Sequence, residues 1–405
     1  MSFPSTVIGR LRRSARRCEK TVRQLRVFTL AGLREIAFTR TRLRLPRNEQ
    51  FPIASSHADG VSVRLIDPDT PFERTLPKMP GETSCHPVFV QHQRGIYPAS
   101  FVAEITRGRV WGRYTGAILT EDGRIIPELS KDIWGPALHN LYTRFSVPKS
   151  RHLPGRTLSL ITPEAANNYH HWMIDLLPRA GLAERAGWDL RSFDHVLIKD
   201  RGHPYQVETL RRLGFDESRL IRVGDNDHFQ ADTLVVPSLH HDSIRIHPAE
   251  FHYIRSLFLP PQPTSPPRRR LYLGRRDAAH RRILNQDALL ALLHAHGFEE
   301  VSMSGMTVAQ QARLLSEASV VVAPNGSALA NIVFAPPTCR VIEFFAPHWV
   351  VVFDWMISAG LGHDHTALIG RGPRPSPDKP PRGLRDDIDL DLDVLARVLD
   401  ALPKL

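Results

Sequence analysis

Three short segments place side chains at spacings that do chemistry. In NNYHHWMIDLLPR, residues 167–179, His171 and Asp175 stand four apart, which puts them on one face of a helix. Asn168 is an N-cap by residue type, with Tyr169 and His170 in the first turn. A histidine and a carboxylate at a helix start can take the proton of a substrate hydroxyl. The same pair can also be a buried anchor for the helix, with Trp172 and Met173 in the core. In LYLGRRDAAHRRILNQDALL, residues 271–290, Arg275 and Arg276 leave a strand directly, and Arg281 and Arg282 precede Asn285, a potential helix cap. Guanidinium forks at a strand's carboxyl end suit a diphosphate, although a solvated basic loop has the same composition.

The third segment is VVVAPNGSALANIVFAPP, residues 320–337. A buried strand runs into Asn325, Gly326 and Ser327 and then a helix start, whose backbone amides and dipole favour an anion. Gly326 permits close approach of the backbone; a capped tight turn predicts the same residues. In RVIEFF, Glu343 lies among apolar residues near a strand end, where a carboxylate can accept both hydroxyls of a ribose or simply close a salt bridge. Asp225-Asn226-Asp227 imitates a metal-binding Asp-x-Asp but reads as a polar turn. His240-His241-Asp242 and His363-Asp364-His365 lack further ligands at zinc spacing, so no metal is expected. There is no GxGxxG and no Walker sequence, which counts against a dehydrogenase or a P-loop NTPase.

These segments need a scaffold, and the patterning supplies one. Residues 60–150 carry short strand-like runs, with Asp122-Gly123 marking a hairpin. From residue 157 to 259, and again from 268, apolar strands alternate with amphipathic helices, which implies parallel sheets covered on both faces. The sequence PPQPTSPP at 260–267 divides them. The expected organisation is a leader at 1–47, a first domain at 48–259 with a β-rich start, a linker at 260–267, and a second, Rossmann-like domain at 268–405. Two Rossmann-like domains so joined face each other across a cleft, and ligands bind outside the carboxyl ends of such strands.

Charge is unevenly spread. The chain has 405 residues and a net charge of +11, all of it accounted for by residues 1–47. The other 358 residues are balanced, which argues against a nucleic-acid-binding body. In the leader, Ile8, Leu11, Ala15, Cys18, Val22 and Leu25 recur at steps of three and four with arginines between them. This is a basic amphipathic helix suited to an anionic membrane surface; a solvated helix, a nucleic-acid arm and a transit peptide are the alternatives. No apolar run reaches the roughly 18 residues of a membrane span. Three widely spaced cysteines suit a reducing compartment. The expected location is the cytoplasmic face of the membrane.

Taken in order, the motifs resemble glycosyltransferase family 61 over roughly residues 110–370. The family's Asn-Tyr-x-His-Trp-x-x-Asp-x-x-Pro-Arg is matched by Asn168, Tyr169, His171, Trp172, Asp175, Pro178 and Arg179. Its strand-then-Arg element is matched at Gly274-Arg275, and its Arg-x-x-Asn-Glu at Arg282, Asn285 and Gln286. Its glutamine falls at Gln310 or Gln311. Its His-Gly-x-x-Leu-x-Asn-x-x-Phe is matched at Asn325, Gly326, Leu329, Asn331 and Phe334, and its strand-end Glu at Glu343. Asn325 replaces the family's His, Gln286 its Glu and Gly274 its Ser.

The resemblance implies a metal-independent, inverting GT-B enzyme without cofactor, moving sugar from a nucleotide sugar to a glycan or lipid-linked acceptor in surface polysaccharide (capsule or exopolysaccharide) synthesis. It implies Asp175 or His171 as base. Arg275, Arg282, Asn285, Asn325, Gly326, Ser327, Asn331 and Glu343 would hold the donor. Asn168, Tyr169, His170, Trp172 and Arg179 would serve the acceptor side. The alternative is a non-catalytic nucleotide-sugar or glycan-binding assembly factor at the membrane, because Asn325 cannot carry the histidine's charge.

Overall fold

The computed structural model describes residues 60–112, 116–130, 148–162, 164–239, 244–261, 266–275, 279–374 and 383–403. The leader at 1–47, Arg276, the His240-His241-Asp242 triplet and the middle of the 260–267 linker lie outside the described residues. The first half is built on β1 (Val61–Asp67), β4 (Ser100–Thr106), β5 (Arg109–Trp111), β6 (Ala117–Leu119), β7 (Arg151–Ser159), β8 (His195–Ile198), β9 (Leu220–Arg222) and β10 (His228–Pro237), with β2 (Thr70–Glu73) and β3 (Arg94–Tyr97) forming a separate ribbon. The eight-stranded sheet runs β1-β4-β10-β7-β8-β9, with β5 beside β10 and β6 beside β5. Strands β10, β7, β8 and β9 pair in parallel, whereas β1, β4, β5 and β6 add antiparallel edges. The expected Rossmann-like first domain is thus a mixed sheet. The turn at Asp122-Gly123 closes with Gly123 at φ 89° and Thr120 N bonded to Arg124 O.

The second half holds β11 (Arg269–Leu273), β12 (Phe298–Val301), β13 (Ala318–Pro324), β14 (Arg340–Phe345) and β15 (Asp364–Ile369) in the order β12-β11-β13-β14-β15, all parallel. Strand β13 reads ASVVVAP and is almost wholly buried, as a central parallel strand covered on both faces must be. The helix Val308–Ser316 starts at a capping box made by Thr307 and Gln310. The helix Leu392–Asp400 lays Leu395 and Leu399 on the same sheet.

Two features cross the division read from the sequence. A single apolar core joins the halves, with Leu158, Trp172 and Leu210 from the first packed with Leu271, Leu315 and Val341 from the second. Residues 75–92 also belong with the second sheet, although they precede the first half's helices. Lys78 bridges Thr366 in parallel along β15, and Phe89 packs edge-on against Trp355.

Arg179 and Trp172 are structural rather than acceptor-side. Trp172 is fully buried and donates to Thr209 Oγ1 at 2.8 Å. Arg179 sits where the parallel strands β7 and β10 end, and donates to the carbonyls of Ser159, Ile161, Pro237 and Ser238 and to Thr162 Oγ1 at 2.8–3.3 Å. It fills the crevice that such strand ends leave open for ligands in other sheets. Arg179→Leu should lower stability by more than about 3 kcal/mol, because each stranded buried carbonyl costs about 1–3 kcal/mol. The shift in urea midpoint measures it.

Candidate functional site

In the second sheet β12 lies on one side of β11 and β13 on the other. Such a switch point opens a crevice at the carboxyl ends of the two diverging strands. Gly274-Arg275 leaves β11 there, and Asn325-Gly326 leaves β13. Gly326 is extended, and a Cβ built on it would lie 1.7 Å from Arg275 Nη1. The guanidinium therefore lies against the bare Cα, and any side chain at 326 would displace it. A 3₁₀ helix, Ser327–Phe334, starts at this point, and Ser327 Oγ donates to Asn168 Oδ1 at 3.3 Å.

Asn325 is the hub behind this crevice. Its Nδ2 donates to Glu343 Oε1 at 2.7 Å and to Asp354 Oδ2 at 3.3 Å. Its Oδ1 accepts from Arg281 Nη1 at 2.7 Å and from Trp349 Nε1 at 3.2 Å. Glu343 is 0% exposed and Asp354 2%. Burial pushes both carboxyl groups above the usual range, opposed by the hydrogen bond from Asn325 for Glu343 and reinforced by Glu343 for Asp354. His365 Nε2 lies 3.2 Å from Glu343 Oε2, and His170 Nδ1 3.7 Å from Asp354 Oδ1. Burial pushes these histidines down to about 3 and about 4. Glu343 therefore does not face a ribose: it is enclosed behind Asn325.

The second part of the site is the helical stretch 169–185. Asn168 caps it, accepting from His170 N at 2.9 Å. A π-turn over Trp172–Leu176 interrupts it, just before Pro178, which has no N–H for the regular ladder. Such turns occur often at functional sites. His171 Nδ1 meets Asp175 Oδ2 at 2.7 Å, and its Nε2 meets Glu164 Oε2 at 2.9 Å. Burial would lower the His171 pKa, but the bonds to Asp175 and Glu164 outweigh it and push it up to about 9. The imidazole is thus charged at neutral pH in this arrangement. Glu164 has a half-exposed side chain and a φ of 61°. Among the described residues only three non-glycine residues have positive φ, and two of them, Glu164 and Arg281, stand here.

The helix start is tied to the second sheet. Tyr169 OH donates to Asn331 Oδ1 at 2.7 Å, and Asn331 Nδ2 donates to Gln311 Oε1 at 2.7 Å. Of the two candidate glutamines, Gln311 joins this network, while Gln310 caps its own helix. A cleft of about 1050 Å³ lies beside it, lined by Tyr169, Tyr205, Met303, Met306, Gln311 and Asn331 among others, but by neither His171 nor Arg275.

Residues 169–342, from Tyr169 to the middle of β14, match the family described as Glycosyltransferase 61. The chain carries a glycosyltransferase family 61 domain. It is accordingly a glycosyl-transferring enzyme. No curated protein gives a significant match. The matched span encloses Arg275, Arg281, Asn325 and Asn331 as well as the His171–Asp175 pair.

Within this glycosyltransferase, the structure brings together Asn168, Tyr169, His170, Arg275, Asn325, Gly326, Ser327, Asn331 and Glu343, with His171 and Asp175 one turn along the same helix. It separates two others. Arg282 has a side chain 62% exposed and pairs with Asp387 at 2.7 Å, whose carboxylate also accepts from the Arg282 backbone N–H. Asn285 does not cap the following helix; it exchanges bonds with the backbone of Leu390 and pins the tail. Glu164, Asp354 and Trp349 carry no spacing signal, since each reaches the site through tertiary contact, whereas Arg281 lies in the arginine segment legible in the sequence. His363 and His365 are buried on β15 or just before it, while Asp364 between them pairs with Lys78. Among the described residues no three His, Cys, Asp or Glu side chains are grouped to hold a metal ion.

Stability should fall on both sides of a mildly acidic optimum. Buried His170 and His365 hold fewer protons than in the unfolded chain as pH drops below about 6.5, so acid destabilises. Glu343, Asp354 and His171 retain protons that the unfolded chain has released, so stability falls as pH rises from the ordinary carboxylate range and, for His171, through about 9. Glu343→Gln, which keeps the neutral form, should flatten the decline in Tm on the side above pH of about 5. An unchanged slope would mean that the pair is ionised in the native protein.

Proposed function

We propose that this glycosyltransferase is a metal-independent inverting enzyme of GT-B type, taking sugar from a nucleotide-sugar donor to a glycan or lipid-linked acceptor in surface polysaccharide synthesis. The observation that carries the reading is the Arg275 guanidinium lying on the bare Cα of Gly326 at the switch point of the second sheet. A fork-shaped cation beside backbone amides at a helix start suits the diphosphate of the donor. It would meet the charge that develops on the leaving group, the role a metal ion plays in other transferases.

The acceptor hydroxyl would be activated by His171 with Asp175. With both ring nitrogens bonded to carboxylates, His171 cannot accept a proton. When an acceptor hydroxyl takes the place of Glu164 at Nε2, the Nε2 proton leaves with the Glu164 carboxyl, and Asp175 then holds the Nδ1–H so that the free Nε2 faces the hydroxyl. The hydroxyl oxygen attacks the anomeric carbon in line, its proton passes to Nε2, and the bond to the diphosphate breaks with inversion. The match to a transferase family favours this over a non-catalytic binding role.

Residues 1–47 would hold the enzyme on the cytoplasmic face of an anionic membrane, where a lipid-linked or growing acceptor is found. No cofactor or nucleic-acid partner is proposed.

Arg275→Ala should weaken binding of the cognate nucleoside diphosphate at least tenfold by calorimetry, and an unchanged affinity would remove Arg275 from the donor site. In the same assay Asp175→Asn should leave that affinity within twofold while lowering kcat by about 10²–10⁴. A chain lacking residues 1–47 should stay in the supernatant when spun with anionic vesicles that sediment the full chain.

A further inference from the structure

The cleft beside Tyr169, Asn331 and Gln311 is left over once the Arg275 crevice and the His171–Asp175 pair are assigned. Its volume of about 1050 Å³ reaches the upper end of the roughly 300–1,000 Å³ of pockets that enclose drug-sized ligands, so it takes several linked rings. Its walls come from both halves and are held in place. The ring of Tyr205 stands edge-on to those of Tyr169 and Trp172 at 5.0 and 6.2 Å and stacks on His203 at 5.5 Å. From the second half, Gln311 Nε2 donates to the carbonyls of Met303 and Met306 at 3.4 and 3.1 Å, fixing the loop that carries them. Charge in the cleft is one-sided. Its lining includes two cations, Arg211 and Arg212, and one acid, Glu208. Both oxygens of Glu208 are taken by the first amides of the helix Val308–Ser316, from Val308 N at 2.7 Å and Ala309 N at 2.9 Å, where the helix dipole already balances a negative charge. Among the described residues neither arginine has an ion-pair partner, and Glu217, on which the charge of Arg211 registers, is itself bonded to Arg222. Arg212 is pinned at the wall: its Nε donates to the Leu257 carbonyl, and its guanidinium lies 5.8 Å from the centre of the Phe258 ring.

We propose that this cleft is an acceptor subsite and that the acceptor is an acidic oligosaccharide, its sugar rings lying along Tyr205 and the two methionines and its carboxylates meeting Arg211 and Arg212. This rests on the reading of the chain as a transferase to a glycan, and it narrows that acceptor to one bearing negative charge. Fixed aromatic rings give the apolar face of a sugar a rigid wall, and a guanidinium fork takes a carboxylate bidentately. A bare hydrocarbon chain would gain nothing from the two guanidinium groups. The cleft also ends in the right place. Ser327, in its lining, follows the Gly326 on which Arg275 lies and bonds to Asn168 at the start of the His171 helix. An oligosaccharide in the cleft therefore has one end at the junction between the Arg275 crevice and that helix.

The full chain is titrated by calorimetry, at about 0.15 M salt, with a panel of uronic-acid trisaccharides, with neutral trisaccharides of matching backbone, and with nucleoside diphosphates. Residues 1–47 are the same in every variant, so their attraction for any polyanion drops out of the comparison between variants. Wild type should bind at least one acidic trisaccharide about tenfold tighter, or more, than its neutral match. The double variant Arg211→Gln/Arg212→Gln should lose that preference, with ligand-free Tm within a few degrees of wild type and nucleoside diphosphate affinity unchanged. Arg313→Gln, at an exposed arginine outside the cleft, should match wild type. Tyr205→Ala should weaken acidic and neutral members alike, and Tyr205→Phe, which keeps the ring, should weaken neither. If the double variant does not fold, Arg211→Gln alone decides: full preference refutes the charge pairing. An undiminished preference in the double variant, an equal loss in Arg313→Gln, or a loss of nucleoside diphosphate binding in the double variant overturns the proposal. A wild type that binds nucleoside diphosphates but prefers no acidic trisaccharide sinks the acidic acceptor and leaves the transferase reading standing. Acidic binding that depends on Arg211 and Arg212, in a wild type that binds no nucleoside diphosphate, keeps the cleft and sinks the nucleotide-sugar reading.

Discussion

Two fully enclosed carboxyl groups at the carboxyl end of β14 and the start of the next helix cannot both be charged. Both are sealed from solvent, burial holds the flanking histidines His170 and His365 well below their ordinary range, and among the described residues the polar group bonded to both acids on the crevice side is the amide of Asn325. Desolvation therefore settles the protonation of the whole cluster in favour of neutral forms. What remains charged is Arg281, on the crevice side of Asn325. The amide has one orientation that satisfies everything, with its N–H groups toward the acids and its oxygen toward Arg281 and Trp349. A neutral residue at 325 thus works as an orienting element for a neighbouring cation.

The parts of this arrangement that could be read from the sequence are those set by local geometry. The pairing of His171 with Asp175 and the cap at Asn168 follow from spacing of two to four residues along one helix. The alternating apolar runs gave the parallel strands, and the glycine at 326 gave the close approach that Arg275 makes. The parts that could not be read depend on where distant segments meet. Arg281 and Arg282 are adjacent and identical in type, and only their distant partners, Asn325 for one and Asp387 for the other, tell which of them turns inward. Glu343 looked like a strand-end ligand because sequence does not show that Asn325 and Asp354 close over it. Trp172 and Arg179 belong to the same motif as His171, yet a helix has several faces, and theirs point into the core and onto β7 and β10.

The apolar core that runs through both sheets bears on how the site works. Inter-domain motion is the ordinary expectation when a linker joins two domains, but it weakens as the shared interface becomes large and hydrophobic. Here the Tyr169–Asn331–Gln311 bonds and the Ser327–Asn168 contact add polar links across the same boundary. The helix start with His171 and the crevice with Arg275 are held in fixed relation, which suits a reaction whose demand is in-line alignment.

The stretch from Thr75 to His92 rides on the edge of the second sheet, and this has a consequence for biogenesis. Lys78 bonds to Asp364, 286 residues away, and Trp355 donates to the carbonyl of Thr75 across 280 residues. At a synthesis rate of about 5–20 residues per second, the segment leaves the ribosome some 15–60 s before its partners exist. Until then Phe89 has neither Phe345 nor Trp355 to pack against. The stretch between β2 and β3 therefore lacks its partners while the first half is being made, and the last strand of the second sheet is completed by a segment synthesised long before it. An early and a late segment meet at β15, so this part of the fold is sealed only once synthesis has passed residue 369.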